Sequence, residues 1–400
     1  MKKNLTLSLF IAAAGMMAAQ TDSVSNEPLN AVNKIVQATG DNKLTIGAYG
    51  HVDFTKQVGD TARHNAFLDV NRLVMFMGYK FNKRTHFASE VEFEHVSELY
   101  VEQAFINYHI RQWIDFRAGL MVIPMGIISE YHEPTTFNGV LRPQIDANIV
   151  PTTWREIGLG ITGKFDAISL KYQLYAVNGF SGYDGGGKFS GSSGLRGGRQ
   201  KGSKSYMTSP DFSAKLDYYG VPGLKIGVAG YFGESESKLY EGLWLEDSLD
   251  YAQKRADSSV VGIMMMGFDL RYQWKGIELR GQYILANLSN TEKYNRFTGK
   301  DLGSAMNGFY AELGYNLLET YKKTEDKLVI FARYESYDTH AGYYIDSLRN
   351  DAYNRSNITI GLGYKMSQGS VIKADYQTFS TAKDGDKPKN YINLGIGIWF

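Results

Sequence analysis

The stretch NYINLGIGIWF, residues 390–400, alternates to the last residue. Ile392, Leu394, Ile396, Ile398 and Phe400 fall on one face of a strand, and Tyr391, Asn393, Gly395, Gly397 and Trp399 on the other. Successive side chains of a strand point to opposite sides, so one face is apolar and the other small or polar. A soluble sheet edge could carry this pattern. An aliphatic stripe that runs into the terminal residue with no polar tail suits a strand that faces lipid better. Lipid leaves no backbone group unpaired, so such a strand must close a ring. The expected partner is the segment 44–54.

The rest of the chain fits that reading. MKKNLTLSLFIAAAGMMAAQ has two lysines, an apolar run and the small pair Ala18–Ala19, the layout of a secretory signal peptide over residues 1–19. Beyond it no apolar run reaches the length of a membrane helix. Cysteine is absent, so no disulfide staples the exported chain. Lys and Arg number 43 against 42 Asp and Glu, which gives no reason to expect nucleic acid as a partner. The 28 Tyr, 21 Phe and 43 Gly, with a slightly polar mean hydropathy of −0.30, suit a wall one strand thick with lipid outside and water inside.

Sixteen strand-like segments follow, at about 44–54, 67–82, 85–95, 99–110, 115–124, 156–165, 168–179, 208–219, 224–234, 259–275, 277–288, 304–318, 327–338, 356–367, 370–380 and 390–400. Most have the 9–11 residues that a tilted strand needs to cross a bilayer. In IELRGQYILANL, Ile277, Leu279, Tyr283 and Leu285 oppose Glu278, Arg280 and Gln282. Connections after even strands are mostly tight and those after odd strands mostly long, apart from a short one at 96–98. Short turns on one side and long loops on the other is the layout of an outer-membrane barrel. The expected fold is therefore all-β, a transmembrane antiparallel β-barrel over residues 44–400, with long loops outside the cell. Residues 20–43 are expected to form a periplasmic N-terminal segment, with a short amphipathic helical stretch at Leu29, Val32, Ile35 and Val36.

Side chains cannot fill a ring of that size, so a water channel is expected. The polar strand faces give a lining that includes Arg117, Arg271, Arg280 and Arg333 beside Glu90, Glu92 and Glu94, the last three sharing one face of ASEVEFEH. Bases and acids nearly balance, which predicts weak selectivity for small polar or charged solutes. The connection 125–155 carries apolar anchors such as Tyr131, Phe137, Ile145 and Trp154, and is stiffened by Pro134, Pro143 and Pro151. It is expected to fold inward and set the constriction with Glu130, His132, Glu133, Arg142, Asp146 and Arg155. The Gly/Ser-rich connection 180–207, with Lys188, Arg196, Arg199, Lys201 and Lys204, reads as a flexible, solvated loop at the mouth.

LYVEQAFINYHI, DFRAGLMVIPMGIISEYHEP, VLRP and IVPTTWREIGLGITGKF resemble the phosphate-selective porin O and P family of Bacteroidota outer membranes. The resemblance spans nearly the whole mature chain and implies a sixteen-stranded diffusion porin, usually a homotrimer in lipid, passing small polar or anionic solutes, phosphate among them. The terminal Phe400 likewise resembles the signal read by the barrel-assembly machinery. The family's ladder of lumen arginines has no full counterpart here. Two other classes stand as alternatives: an outer-membrane barrel enzyme and a periplasmic all-β binding protein. The histidines are scattered, no serine pairs convincingly with one, HEP at 132–134 lacks a second ligand at i+4, and KDGDKP at 383–388 is no full calcium loop. No catalytic residue, metal or cofactor is therefore expected.

Overall fold

The computed structural model describes residues 30–31, 42–243, 250–321, 324–345 and 349–400. The signal peptide expected over residues 1–19 and the amphipathic stretch expected at Leu29, Val32, Ile35 and Val36 lie outside the described residues.

The strands in chain order are β1 (Leu44–Val58), β2 (Ala66–Lys80), β3 (Thr85–Glu94), β4 (Glu98–Arg111), β5 (Ile114–Val122) and β6 (Arg155–Phe165). They continue with β7 (Leu170–Val177), β8 (Ser181–Tyr183), β9 (Asp211–Val221), β10 (Leu224–Glu234), β11 (Glu236–Ser237) and β12 (Gly262–Trp274). The last are β13 (Ile277–Ser289), β14 (Ala305–Asn316), β15 (Lys327–Gly342), β16 (Asn354–Ser367), β17 (Ser370–Thr381) and β18 (Lys389–Trp399). All but β8 and β11 join one closed ring of antiparallel neighbours, and those two pair with each other above it.

Closure is made by β18 on β1, from Tyr49 opposite Trp399 to Val58 opposite Asn390. The Phe400 amide donates to the Ala48 carbonyl at 2.9 Å and the Ala48 amide to the Phe400 carbonyl at 3.1 Å. No strand edge is left for lipid to meet. Ile392, Leu394, Ile396 and Ile398 point outward and are 42–54% exposed, while Asn393 on the opposite face is buried. The same split recurs around the ring, with Ile226, Val228, Ile358, Ile360 and Leu362 outside and Lys215, Asp269, Arg333 and Glu335 inside. An outward apolar face around an inward polar one is the reverse of a soluble barrel, and it follows from the period-two pattern meeting lipid instead of water.

The structure moves several expected boundaries. β1 runs four residues beyond 54 and β15 extends to Gly342 instead of 338, because β1 stays paired to β18 as far as Val58 and β15 to β14 as far as Gly342. Three long connections also contain helices, Ile145–Asn148, Asp250–Asp257 and Thr291–Thr298, that the period-two pattern of the strands does not announce.

The connection 180–207 is not the solvated loop expected from its glycines and serines. Phe180, Phe189 and Leu195 are fully buried. Phe180 stacks on Trp154 at 4.7 Å between ring centres, and the Tyr294 hydroxyl receives the Phe189 amide and donates to the Gly182 carbonyl. Small residues here let the chain lie flat over the barrel mouth, with the three apolar side chains as anchors.

Candidate pore constriction

Residues 123–154, between β5 and β6, leave the wall and cross the lumen. The loop starts with Gly126 at φ +71°, where an added Cβ would lie 2.5 Å from the Gln282 side chain. A left-handed turn against a wall residue calls for glycine. Ile127, Ile145, Ile149, Val150 and Trp154 are buried at 2% exposure or less, so the loop carries a small apolar core of its own.

Its backbone polar groups find partners on the far wall, as a buried segment requires. The Ile127 amide donates to Gln282 on β13 at 2.8 Å and the Val140 amide to Asp375 on β17 at 2.6 Å. Lys373 donates to the Phe137 and Gly139 carbonyls, and Arg280 to the Thr136 carbonyl. Arg333 donates to the Leu141 carbonyl. In ring order β15 lies diametrically opposite β5, so the loop spans the full width of the lumen.

The residues expected at the site divide into four groups. Glu130 reaches toward β7 and β9, where Lys215 contacts it at 2.8 Å, Gln173 donates to it at 2.7 Å and Lys171 lies 3.6 Å away. Lys215 also donates to the Gly126 carbonyl and faces Asp269 at 3.5 Å. Arg271 stacks on the Tyr131 ring on this side.

His132 and Glu133 turn toward β1, β3 and β4. The His132 Nε2 lies 2.8 Å from the Tyr49 hydroxyl, 3.6 Å from Glu102 and 3.7 Å from Glu90. Burial opposes charge on this imidazole, but the Glu102 and Glu90 carboxylates outweigh it and push its pKa up to about 10. Glu133 accepts the Ala31 amide at 2.6 Å, and Asn30 donates to the Glu130 carbonyl. Residues 30–31 of the N-terminal segment thus sit against the loop.

A third group braces the loop. Arg280 and Arg333 pair with Glu278, Glu312 and Glu335 along the wall, and Asp146 accepts Gln282 at 2.8 Å. Arg117 is also held at the wall, hydrogen-bonded to Asn107 and Tyr175.

The fourth group surrounds a cavity of about 200 Å³ between the loop, the β1–β3 wall and the 180–207 connection. Arg142, Arg155, Glu92 and Glu94 line it, together with Arg72, Arg196, Arg199 and Lys201. Arg72 is neutralised by Glu92 at 3.2 Å. Arg196 donates to the Ala147 and Thr152 carbonyls and Arg199 to those of Arg196, Pro151 and Thr153, which occupy their N–H groups without compensating their charge. Burial, then Arg196 and Arg155, lowers the Arg199 pKa to about 9. Burial, then Arg199 and Arg155, depresses Lys201 as well. Bases that push one another down in this way mark a positive potential that an anion entering the cavity would relieve.

Reading the sequence missed Arg72 and His51 in this lining, and it treated Arg196, Arg199 and Lys201 as solvated. Phe180, Phe189 and Leu195, spaced through the Gly/Ser stretch, were the available sign that this connection folds back.

These features define a closed sixteen-stranded antiparallel β-barrel with an apolar outer face, a fold that solved outer-membrane porins share. The anion-selective porin of Comamonas acidovorans superposes with a TM-score of 0.55 at 10% identity, covering 89% of this chain and 99% of that one. The outer-membrane channel DcaP of Acinetobacter baumannii gives 0.57 at 10% identity over 89% and 97%. Pseudomonas putida OprB gives 0.56 at 9% over 90% and 94%. No family model matches the chain. An uncharacterized protein of Aquifex aeolicus (strain VF5) is 30% identical over 362 residues, 86% of this chain and 78% of that one, and the chain belongs to its family.

Proposed function

We propose that the protein is a passive diffusion porin that favours small anionic solutes, phosphate among them, and performs no catalytic step. One observation carries this reading. The space beside the inward loop is lined by Arg142, Arg155, Arg196, Arg199 and Lys201, and of the two acids in that lining Glu92 is already paired with Arg72, which leaves Glu94. Fixed charges act over about 8 Å at physiological salt, a distance comparable to the width of such a passage, so this cluster outweighs the near-neutral total.

The selectivity follows from pairing. Lumen acids such as Glu92, Glu130, Glu312 and Glu335 are bound to Arg72, Lys215 and Arg333, whereas Arg142, Arg196 and Arg199 donate to carbonyls. This moves the expectation from weak selectivity toward anions. The resemblance to the phosphate-selective porin O and P family points the same way. Within this reading residues 1–19 direct export, residues 20–43 belong to the periplasmic side except where 30–31 meet the constriction loop, the barrel-assembly machinery inserts the chain, and three copies associate in lipid.

Single-channel recording of the purified protein across a planar bilayer with a potassium chloride gradient tests it. The reversal potential should have the sign of chloride permeation, and phosphate should reduce the chloride current. A cation-selective reversal potential, or no channel from protein with folded-barrel gel mobility, would sink the proposal.

A further inference from the structure

His132 was discounted as a ligand because HEP has no partner at i+4. Tertiary structure supplies partners from elsewhere. Glu90 stands on β3 and Glu102 on β4, and the register between those strands slips at this point, from Glu90 opposite Gln103 to Val91 opposite Val101. Glu102 is the extra residue of a β-bulge, a device that re-aims a side chain. The loop brings His132 against both carboxylates, and one ligand atom from each of the three residues lies within 4.8 Å of the others. All three residues are buried, at 2% exposure or less.

The spacing matters. His132 Nε2 is 3.7 Å from Glu90 Oε2 and 3.6 Å from Glu102 Oε2. These distances exceed a hydrogen bond. Donor atoms around a tetrahedral ion with bonds of about 2.1 Å lie about 3.4 Å apart, close to the values found. The Tyr49 hydroxyl, 2.8 Å from His132 Nε2 and 3.1 Å from Glu102 Oε2, stands where a fourth donor would. His132 Nδ1 faces the Ser129 carbonyl at 3.1 Å, the outer contact that orients a metal-binding imidazole.

A second, independent observation concerns the carboxylates themselves. Glu90 Oε2 and Glu133 Oε2 are buried without a hydrogen-bond partner. Nearby Arg72 is engaged by Glu92 and by the other Glu102 oxygen, at 3.2 and 3.7 Å. Buried carboxylate oxygens that meet no donor are costly unless a charge compensates them.

We infer that Glu90, Glu102 and His132, with Tyr49 as a fourth donor, bind a divalent first-row transition-metal ion that staples the constriction loop to the β3–β4 wall. Nitrogen and carboxylate donors in this number suit zinc and its neighbours better than calcium or magnesium. The site is separate from the anion cavity and independent of the solute carried.

The test uses full-length protein in detergent, stripped with chelator and titrated with Zn²⁺ alone, with bound metal measured after dialysis. Wild type should retain one equivalent, and Glu90→Gln and Glu102→Gln should each bind more than about tenfold more weakly. A variant with His64, His95 and His109 replaced, the histidines that face Asp60, Asp69 and Asp115, should bind as wild type does. Should the glutamine variants lose folded-barrel mobility, Co²⁺ in wild type decides the question. Intense visible bands of four-coordinate Co²⁺ support the site, and weak six-coordinate bands overturn it. Absence of stoichiometric zinc, or binding that survives both glutamine variants, overturns it too.

Discussion

Lys215→Met removes the charge that holds one flank of the constriction loop. The ammonium is buried, contacts Glu130 and the Gly126 carbonyl at 2.8 Å each, and faces Asp269 at 3.5 Å. Methionine fills similar volume, so packing changes little and the loss is electrostatic. Breaking a buried pair by deleting one partner costs about 3–5 kcal/mol, because the remaining carboxylates keep their desolvation penalty. Glu130→Gln should cost less, about 2 kcal/mol, since Gln173 still donates to the amide oxygen and Lys171 stays near. If Lys215 acts through Glu130, the double variant should cost no more than Lys215→Met alone, a coupling of about 2 kcal/mol. Urea unfolding in lipid vesicles, followed by gel mobility, measures the stabilities. Bilayer recording should show larger, noisier conductance for Lys215→Met as the loop loses its seat. Additive costs within about 0.5 kcal/mol, with conductance unchanged, would refute the reasoning.

Loop seating should depend on pH through Asp146, whose pKa burial raises to about 7 despite its hydrogen bond from Gln282. Glu335 and Arg333 on β15, Tyr310 on β14 and Arg142 of the loop are the other charged or titratable groups around it. A carboxyl with a raised folded pKa favours the folded loop below its unfolded value of about 3.9, and that contribution is lost as pH rises through about 7. Channel noise should therefore increase from pH 5 to pH 8 in wild type, and Asp146→Asn should flatten the dependence. Leu394→Lys, on the lipid face near the middle of β18, should destabilise the barrel by about 2–4 kcal/mol in vesicle unfolding. Gly126→Ala should disturb the loop's first turn, seen as a changed conductance at unchanged barrel mobility.

The barrel was legible because each strand repeats one rule. Leu394 outward and Asn393 inward can be read from residues 390–400 without any partner in view, and closure on β1 follows from the demand that lipid makes of an edge. The site was less legible, because its geometry depends on contacts between residues far apart in the chain. Arg142 and Arg155 are named by the loop's own composition, but nothing local distinguishes them from Arg280 and Arg333, which brace carbonyls and wall carboxylates. Arg72 reads as an ordinary strand residue until β1 and β3 are set beside it. Glu102 reaches His132 only through a one-residue bulge, which leaves no mark on the alternation of its neighbours. The 180–207 connection was misread because composition reports backbone freedom, and three buried apolar side chains suffice to remove it.

The most direct test of the account is charge reversal in the cavity, set against the same change at the tip of the covering connection. Arg155→Glu with Arg199→Glu inverts two bases that line the passage, while Lys188→Glu changes a residue outside that lining. Reversal potentials in a salt gradient should turn toward cations in the double variant, and phosphate should no longer reduce the chloride current. Lys188→Glu should leave both close to wild type. Equal shifts in the two proteins, or none in either, would contradict a pathway governed by the basic cavity beside residues 123–154.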